Sequence, residues 1–341
     1  VMIVMNFTVI AIIRVGGGLV AEGSMQAGEV MAAITYVTQI LMSIMMISMM
    51  FQMVSRAMAS AKRIEEVLDT YPVIASGEAE LDGGIDKIEF RDVDFSYPGS
   101  SGRPVLCGVN LEINKGETVA ILGSTGAGKT SLVSLIARYY DPVGGEILVN
   151  GRNVKDFTLD SLRSKVGYVL QKSELFSGTI ADNIRWGKAD ATDEEVRECA
   201  RIAQADDFIT SFNEGYDTVI GEKGASLSGG QKQRLSIARS IMKRPEVLIF
   251  DDSTSALDLG TEARLQKALR DDLAGTTVIL IAQRIASVMN ADRIIVLDKG
   301  EVAACGTHEE LLKGLESVIE LGLVLRHAAG KAVGHGGGDE L

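Results

Sequence analysis

"TVAILGSTGAGKT", Thr118 to Thr130, decides the fold. An apolar run of strand character stops at Gly123, and Gly123-Ser124-Thr125-Gly126-Ala127-Gly128-Lys129-Thr130 satisfies the pattern G-x-x-x-x-G-K-[ST]. Glycines let the backbone curl so that several N–H groups converge on one point. A helix expected to start near Gly128 adds its positive end, Lys129 can reach outer phosphates, and Thr130, with Ser131 beside it, offers a hydroxyl toward magnesium. A strand, a glycine-rich turn and a helix in that order make a phosphate cradle.

Working outward from the cradle, further apolar runs read as strands: "KIEFRDVDFSYP", "VGYVL", "VLIFDD", "TVILIA" and "RIIVLDKGE". They alternate with helical patterns, which predicts an α/β domain on a largely parallel sheet. The stretch after Arg326, "HAAGKAVGHGGGDEL", is Gly-rich and aperiodic and is expected to be a flexible tail over 326–341.

Upstream the composition changes. Val30 to Val54 is 25 residues without a charge, long enough at helical rise to cross a hydrocarbon core of ~30 Å. Val1 to Val20 is a second apolar segment, broken by Asn6 and Arg14, and seven of the thirteen methionines lie between Met31 and Met53. The intervening Ala21 to Glu29 has no Lys or Arg, whereas Arg56, Lys62 and Arg63 follow the second segment, so the side carrying residue 56 onward is expected to be cytoplasmic. "SAKRIEEVLD" continues the helix into water until Tyr71-Pro72. Thr35, Gln39 and Ser43 share one helical stripe, which reads as helix packing before it reads as a translocation path. Arg14 is expected to snorkel. The organisation expected is a partial transmembrane domain over 1–70, a linker over 71–86, a nucleotide-binding domain over 87–325, and the tail. Because the chain starts at Val1 inside an apolar stretch, a fragment lacking earlier residues is expected.

A net charge of -12 argues against nucleic acid as a partner, since phosphate-backbone binding needs a basic face. Cys107, Cys199 and Cys305 are scattered and lack metal-ligand spacing, so they are expected to be reduced and cytosolic. His308, His327 and His335 all lie near the C-terminus, which leaves no histidine for a site built in the middle of the chain.

A second Gly-rich helix start, Leu227-Ser228-Gly229-Gly230-Gln231, runs into "KQRLSIARSIM" and offers another anion grip. One nucleotide has a single terminal phosphate, so two grips on one chain suggest a nucleotide shared between paired chains. With "LSGGQ" as signature, "VLIFDD" as Walker B and "SALD" as D-loop, in this order and behind apolar helices, the sequence resembles an ATP-binding cassette exporter half-transporter over residues 1 to about 325. The resemblance implies an α-helical transmembrane segment followed by an α/β P-loop NTPase cassette with an inserted helical subdomain at about 172–240. The first four of the usual six membrane helices would precede it. It further implies ATP and Mg2+ as cofactors, Tyr97 stacking on adenine, Gln171 as the Q-loop glutamine near magnesium or water, Asp251 supporting the metal, and Asp258 in a loop facing a second cassette. The implied location is a cell membrane, multi-pass, with the cassette in the cytoplasm.

Two positions depart from the family pattern. Asp252 stands where the family has a glutamate that orients water, and Gln283 where it has a histidine. The carboxylate of Asp252 is drawn back by about 1.5 Å, one carbon–carbon bond, and Gln283 can donate a hydrogen bond but carries no positive charge. The expectation is a degenerate site that holds ATP, while Ser228, Gly229, Gly230 and Gln231 complete a competent site on a heterodimeric partner. The alternatives are a homodimer with slow hydrolysis and a nucleotide-gated regulator or channel. A soluble ATPase is disfavoured by the apolar helix. The cargo is expected to be hydrophobic and loosely specified.

Overall fold

A computed structural model describes residues 2–282 and 285–314. The chain divides into two compact units that meet in sequence at residues 73 and 74. In the first unit, α1 (Met2–Ala21) and α2 (Ala27–Leu68) are both long and apolar enough to cross a membrane. The 42 residues of α2 run without a break, so the apolar segment and its charged continuation are one helix. Gly16 lets the two helices approach closely, because a Cβ there would lie 2.8 Å from Val30 Cγ2. The polar stripe of α2 is locally satisfied: Thr35 Oγ1 donates to Met31 O and Ser43 Oγ to Gln39 O.

In the second unit the elements are β1 (Lys87–Phe95), β2 (Leu106–Asn114), β3 (Thr118–Gly123), α3 (Lys129–Ile136), β4 (Gly144–Val149), β5 (Arg152–Asn153), α4 (Leu159–Ser164) and β6 (Val166–Val169). Next come β7 (Gly178–Thr179), α5 (Ile180–Arg185), α6 (Asp193–Ile202), α7 (Asp206–Thr210), β8 (Val219–Ile220) and α8 (Gly229–Met242). The unit closes with β9 (Val247–Asp251), α9 (Leu259–Asp272), β10 (Thr277–Ile281), α10 (Ile285–Val288), β11 (Arg293–Asp298), β12 (Glu301–Gly306) and α11 (His308–Gly314).

A six-stranded sheet in the order β12-β11-β3-β10-β9-β6 is parallel except for β12, and β2-β1-β4-β5 form an antiparallel sheet. The central strands β9 and β10 are buried at every residue, which is why "VLIFD" and "TVILI" show no alternation. On α3, Leu132, Val133, Leu135 and Ile136 are all buried, each stabilising the cradle by roughly 1.5–3 kcal/mol. Two readings shift in detail. The strand expected through Pro98 ends at Phe95, and "RIIVLDKGE" is two antiparallel strands around Lys299 and Gly300, both at positive φ. In the stretch read as linker, Leu81 and Ile85 are buried in the core and Ala79 bridges to Phe157.

The helical segment α5–α8 contains the signature and is anchored from below. Val169, Leu248 and Phe250 of the parallel sheet pack in one apolar cluster with Ile184, Leu235 and Ile241. Capping boxes at Thr179 and Thr192 define the starts of α5 and α6. Cys199 is buried in this cluster, which pushes its thiol up to about 11 and suits a structural thiol.

Candidate functional site

The cradle is built where β3 meets α3, between the neighbouring strands β11 and β10. Gly128 is the N-cap of α3, with φ 98, and no side chain caps the helix. A Cβ at Gly128 would lie 2.7 Å from Leu106 Cδ2 and 3.0 Å from Val105 O, so both its backbone angle and its space require glycine. Gly126 is also left-handed, with φ 84, and Ala127 is buried beneath the loop. Ser124, Thr125 and Gly126 are exposed at its tip, above the half-buried Gly123.

Lys129 curls back over the loop and donates to Gly123 O at 2.8 Å and Ser124 O at 2.9 Å. Burial lowers its pKa, opposed by the negative charges of Asp252 and Asp251. The ammonium thus sits between backbone carbonyls and two carboxylates, poised to exchange the neutral carbonyls for a more strongly charged acceptor. Thr130 Oγ1 donates to Asp251 Oδ1 at 2.8 Å, and Tyr168 OH donates to Asp251 Oδ2 at 3.0 Å. Asp251 is only 4% exposed, so these donors replace the hydration its carboxylate loses.

Asp252 follows directly with φ 48, a left-handed conformation that Asp tolerates better than most residues. Its amide donates to Ile281 O at 3.1 Å, tying it to β10, and its carboxylate Oδ2 accepts from Gln171 Nε2 at 2.9 Å. Gln171 and the acid at the end of β9 therefore meet, although 81 residues separate them. Gln283, the other departure from the family pattern, lies outside the described residues.

Tyr97 stands beyond the end of β1, 36% exposed. Its hydroxyl shares a 2.8 Å hydrogen bond with buried Ser131 on α3, while Phe95 and Tyr140 meet it in edge-to-face contacts at 4.9 and 5.1 Å between ring centroids. A partly exposed ring braced from its edges beside the cradle suits stacking of a base.

Ser228 and Gly229 are exposed and Gly230 is half-buried at the start of α8. Ser228 and Gln231 form a reciprocal capping box: the Ser228 hydroxyl accepts from Gln231 N, and Ser228 N donates to Gln231 Oε1 at 2.9 Å. Buried Gln233 accepts from Ala256 N at 3.2 Å through Oε1, which binds the signature helix to the D-loop of the same chain. Asp258 caps α9 through Thr261 N at 2.9 Å, and hydrogen bonding with the Thr261 side chain, then with that amide, holds its carboxyl below the usual range.

Tyr168, Ser131 as the anchor of Tyr97, and Gln233 carry roles that sequence reading does not assign. Each depends on strands or loops distant in the chain becoming neighbours; β6 lies beside β9 with Tyr168 in register with Ile249.

The site suits a metal-bound polyphosphate. Among the described residues no group of three His, Cys, Asp or Glu could hold a metal alone. One hydroxyl and one carboxylate, both hard oxygen donors, are the usual protein share for magnesium that also binds phosphates.

The ABC transporter family profile matches residues 106–255. The chain is 41% identical over 89% of its length to half of the ATP-dependent lipid A-core flippase of Syntrophus aciditrophicus. It is 42% identical over 91% of its length to 46% of the mitochondrial potassium channel ATP-binding subunit of Xenopus tropicalis. Among solved structures, a bacterial Atm1-family ABC exporter with ATP bound superposes with a TM-score of 0.79 at 33% identity, covering 96% of this chain and 57% of that one. The chain spans about half the length of the curated relatives it matches. The cassette in residues 106–255 is an ABC transporter ATP-binding domain, homologous to those of ABC exporters.

Proposed function

We propose that this chain is one subunit of an ATP-driven exporter whose own site binds MgATP and turns it over slowly, while Ser228, Gly229 and Gly230 complete a faster site on a second, non-identical chain. The observation that carries the reading is the contrast around Asp251 and Asp252. The binding elements are in place: Lys129 donates to the loop carbonyls of Gly123 and Ser124, and Thr130 donates to Asp251. The neighbouring acid is one methylene shorter than the family's glutamate and is held by Gln171 at 2.9 Å. A displacement of about 1 Å in a group that must aim a water can cost ~100-fold in rate. Gln283, which has no titratable ring, reinforces the reading from sequence.

The two apolar helices support placement in a cell membrane, with the cassette on the cytoplasmic side. The flippase relative, named for a lipid substrate, supports a hydrophobic cargo. A second reading draws on the relative named as the ATP-binding subunit of a potassium channel. In it, nucleotide binding alone changes the state of the assembly and hydrolysis is incidental.

The test is ATPase activity of the full-length protein in lipid, alone and with candidate partners that carry Glu and His at the positions of Asp252 and Gln283. We expect little turnover alone and strong turnover in the assembled pair. In that pair, Ser228→Ala should depress the rate more than Asp252→Ala. Robust turnover without a partner would sink the two-chain reading, and a pair that gates ion flux with no hydrolysis would favour the regulator.

A further inference from the structure

Tyr168 is a hydrogen-bonding side chain at the site that the binding role of the cradle does not use. It comes from β6, at the edge of the parallel sheet, and its phenol reaches across to the carboxylate at the end of β9. Its ring is fixed along its length. The backbone is paired with β9 opposite Ile249, Ser240 Oγ donates to its carbonyl at 3.3 Å, and Tyr139 packs edge-on at 5.6 Å between centroids, itself covered by the Arg163 guanidinium at 5.3 Å. A phenol facing a carboxylate serves as donor toward it, and the 3.0 Å contact with Asp251 Oδ2 is of that kind.

The consequence lies in how many oxygens Asp251 can offer. Its Oδ2 is taken by Tyr168 at 3.0 Å, and its Oδ1 takes the proton of Thr130 at 2.8 Å, which leaves the lone pairs of the Thr130 hydroxyl free to face a cation. A carboxylate pinned at both oxygens cannot swing round to chelate a metal through both. That restriction is nearly harmless for Mg2+, which demands octahedral geometry and keeps its waters. It is costly for Ca2+, which takes six to eight oxygens and accepts bidentate carboxylates.

We propose that Tyr168 is a positioning residue that sets the cation preference of this site, fixing the orientation of the Asp251 carboxylate and so favouring Mg2+ over Ca2+. The inference rests on the reading of the cradle as a MgATP site. It goes beyond that reading by assigning discrimination between cations to a residue that acts through Asp251.

The test is equilibrium binding of a fluorescent ATP analogue to the full chain in lipid, titrated separately with Mg2+ and Ca2+ and repeated in EDTA, for wild type and Tyr168→Phe. Losing one hydrogen bond to a charged group is worth about tenfold. With the pin removed, the half-saturating Ca2+ concentration is therefore expected to fall roughly 3- to 10-fold. The Mg2+ value should move less than about twofold, and binding in EDTA should stay unchanged. Mg2+ and Ca2+ curves that shift together, or that both stay put, would overturn the proposal. So would a Tyr168→Phe protein that loses EDTA binding or cooperative unfolding, since the phenol would then be a folding element. A wild-type chain that fails to bind the analogue under any metal condition would instead bring down the nucleotide reading itself.

Discussion

The second unit starts two helices behind glycine-rich loops, and it starts them in opposite ways. At α3 the N-cap is Gly128, left-handed and without a side-chain cap, and the neighbouring lysine is folded onto the loop's own carbonyls. At α8 the N-cap is Ser228, in extended conformation, with its hydroxyl and the Gln231 amide closing a capping box. The first end leaves its positive pole to be completed by something outside the helix; the second completes itself. Two sequences that look like the same anion grip therefore differ in what they need. The α3 end is left for something outside the helix to cap, whereas at the α8 end one helix-start amide is already spent on the Ser228 hydroxyl, which accepts that bond and keeps its own proton to donate.

The largest expected effect follows from the glycine at the α3 start. Gly128→Ala imposes a positive φ on alanine and pushes a methyl into Leu106 and Val105 O, so we expect a loss of about 3 kcal/mol in stability, read by thermal or denaturant unfolding. A near-neutral result would mean the loop relaxes freely and the contrast with α8 is only apparent. Next, Lys129→Ala removes a cation from the uncapped end. ATP affinity should fall roughly 10- to 100-fold in a direct binding titration while the unfolding midpoint barely moves. Smaller again is Ser228→Ala, which should cost about 1 kcal/mol of stability through the lost cap and leave the chain's own ATP affinity unchanged. Altered ATP affinity in that variant would show that the two helix starts are not independent.

Much of this was legible in the sequence because it is local. The phosphate loop, the signature and the apolar strands announce themselves by spacing of a few residues, set by backbone geometry that near neighbours control. "VLIFD" and "TVILI" read as buried strands because nothing polar interrupts them. Boundaries were less legible. Asp94 and Gly144 bring β1 and β4 together after a break in register, so "FSYP" leaves the sheet at Phe95 although its residues favour strands. The turn at Lys299-Gly300 splits one apolar-rich run into a hairpin, a choice made by positive φ at two residues.

Residue identity by itself determined that the chain carries a phosphate cradle, a second helix start of similar composition, two apolar helices, and an aspartate one methylene short at the place where a longer acid is expected. Those are statements about covalent chemistry and short-range geometry, and no partner segment is needed to make them. Only the tertiary structure decided that Tyr168 meets Asp251, that Gln171 holds Asp252, that Ser131 braces Tyr97 and that Gln233 joins the signature helix to the D-loop. These contacts join residues 23 to 83 positions apart. The first two exist because parallel strands β6, β9 and β10 stack side by side through crossovers, an order set by burying apolar faces on both sides of one sheet and by no pattern along the chain.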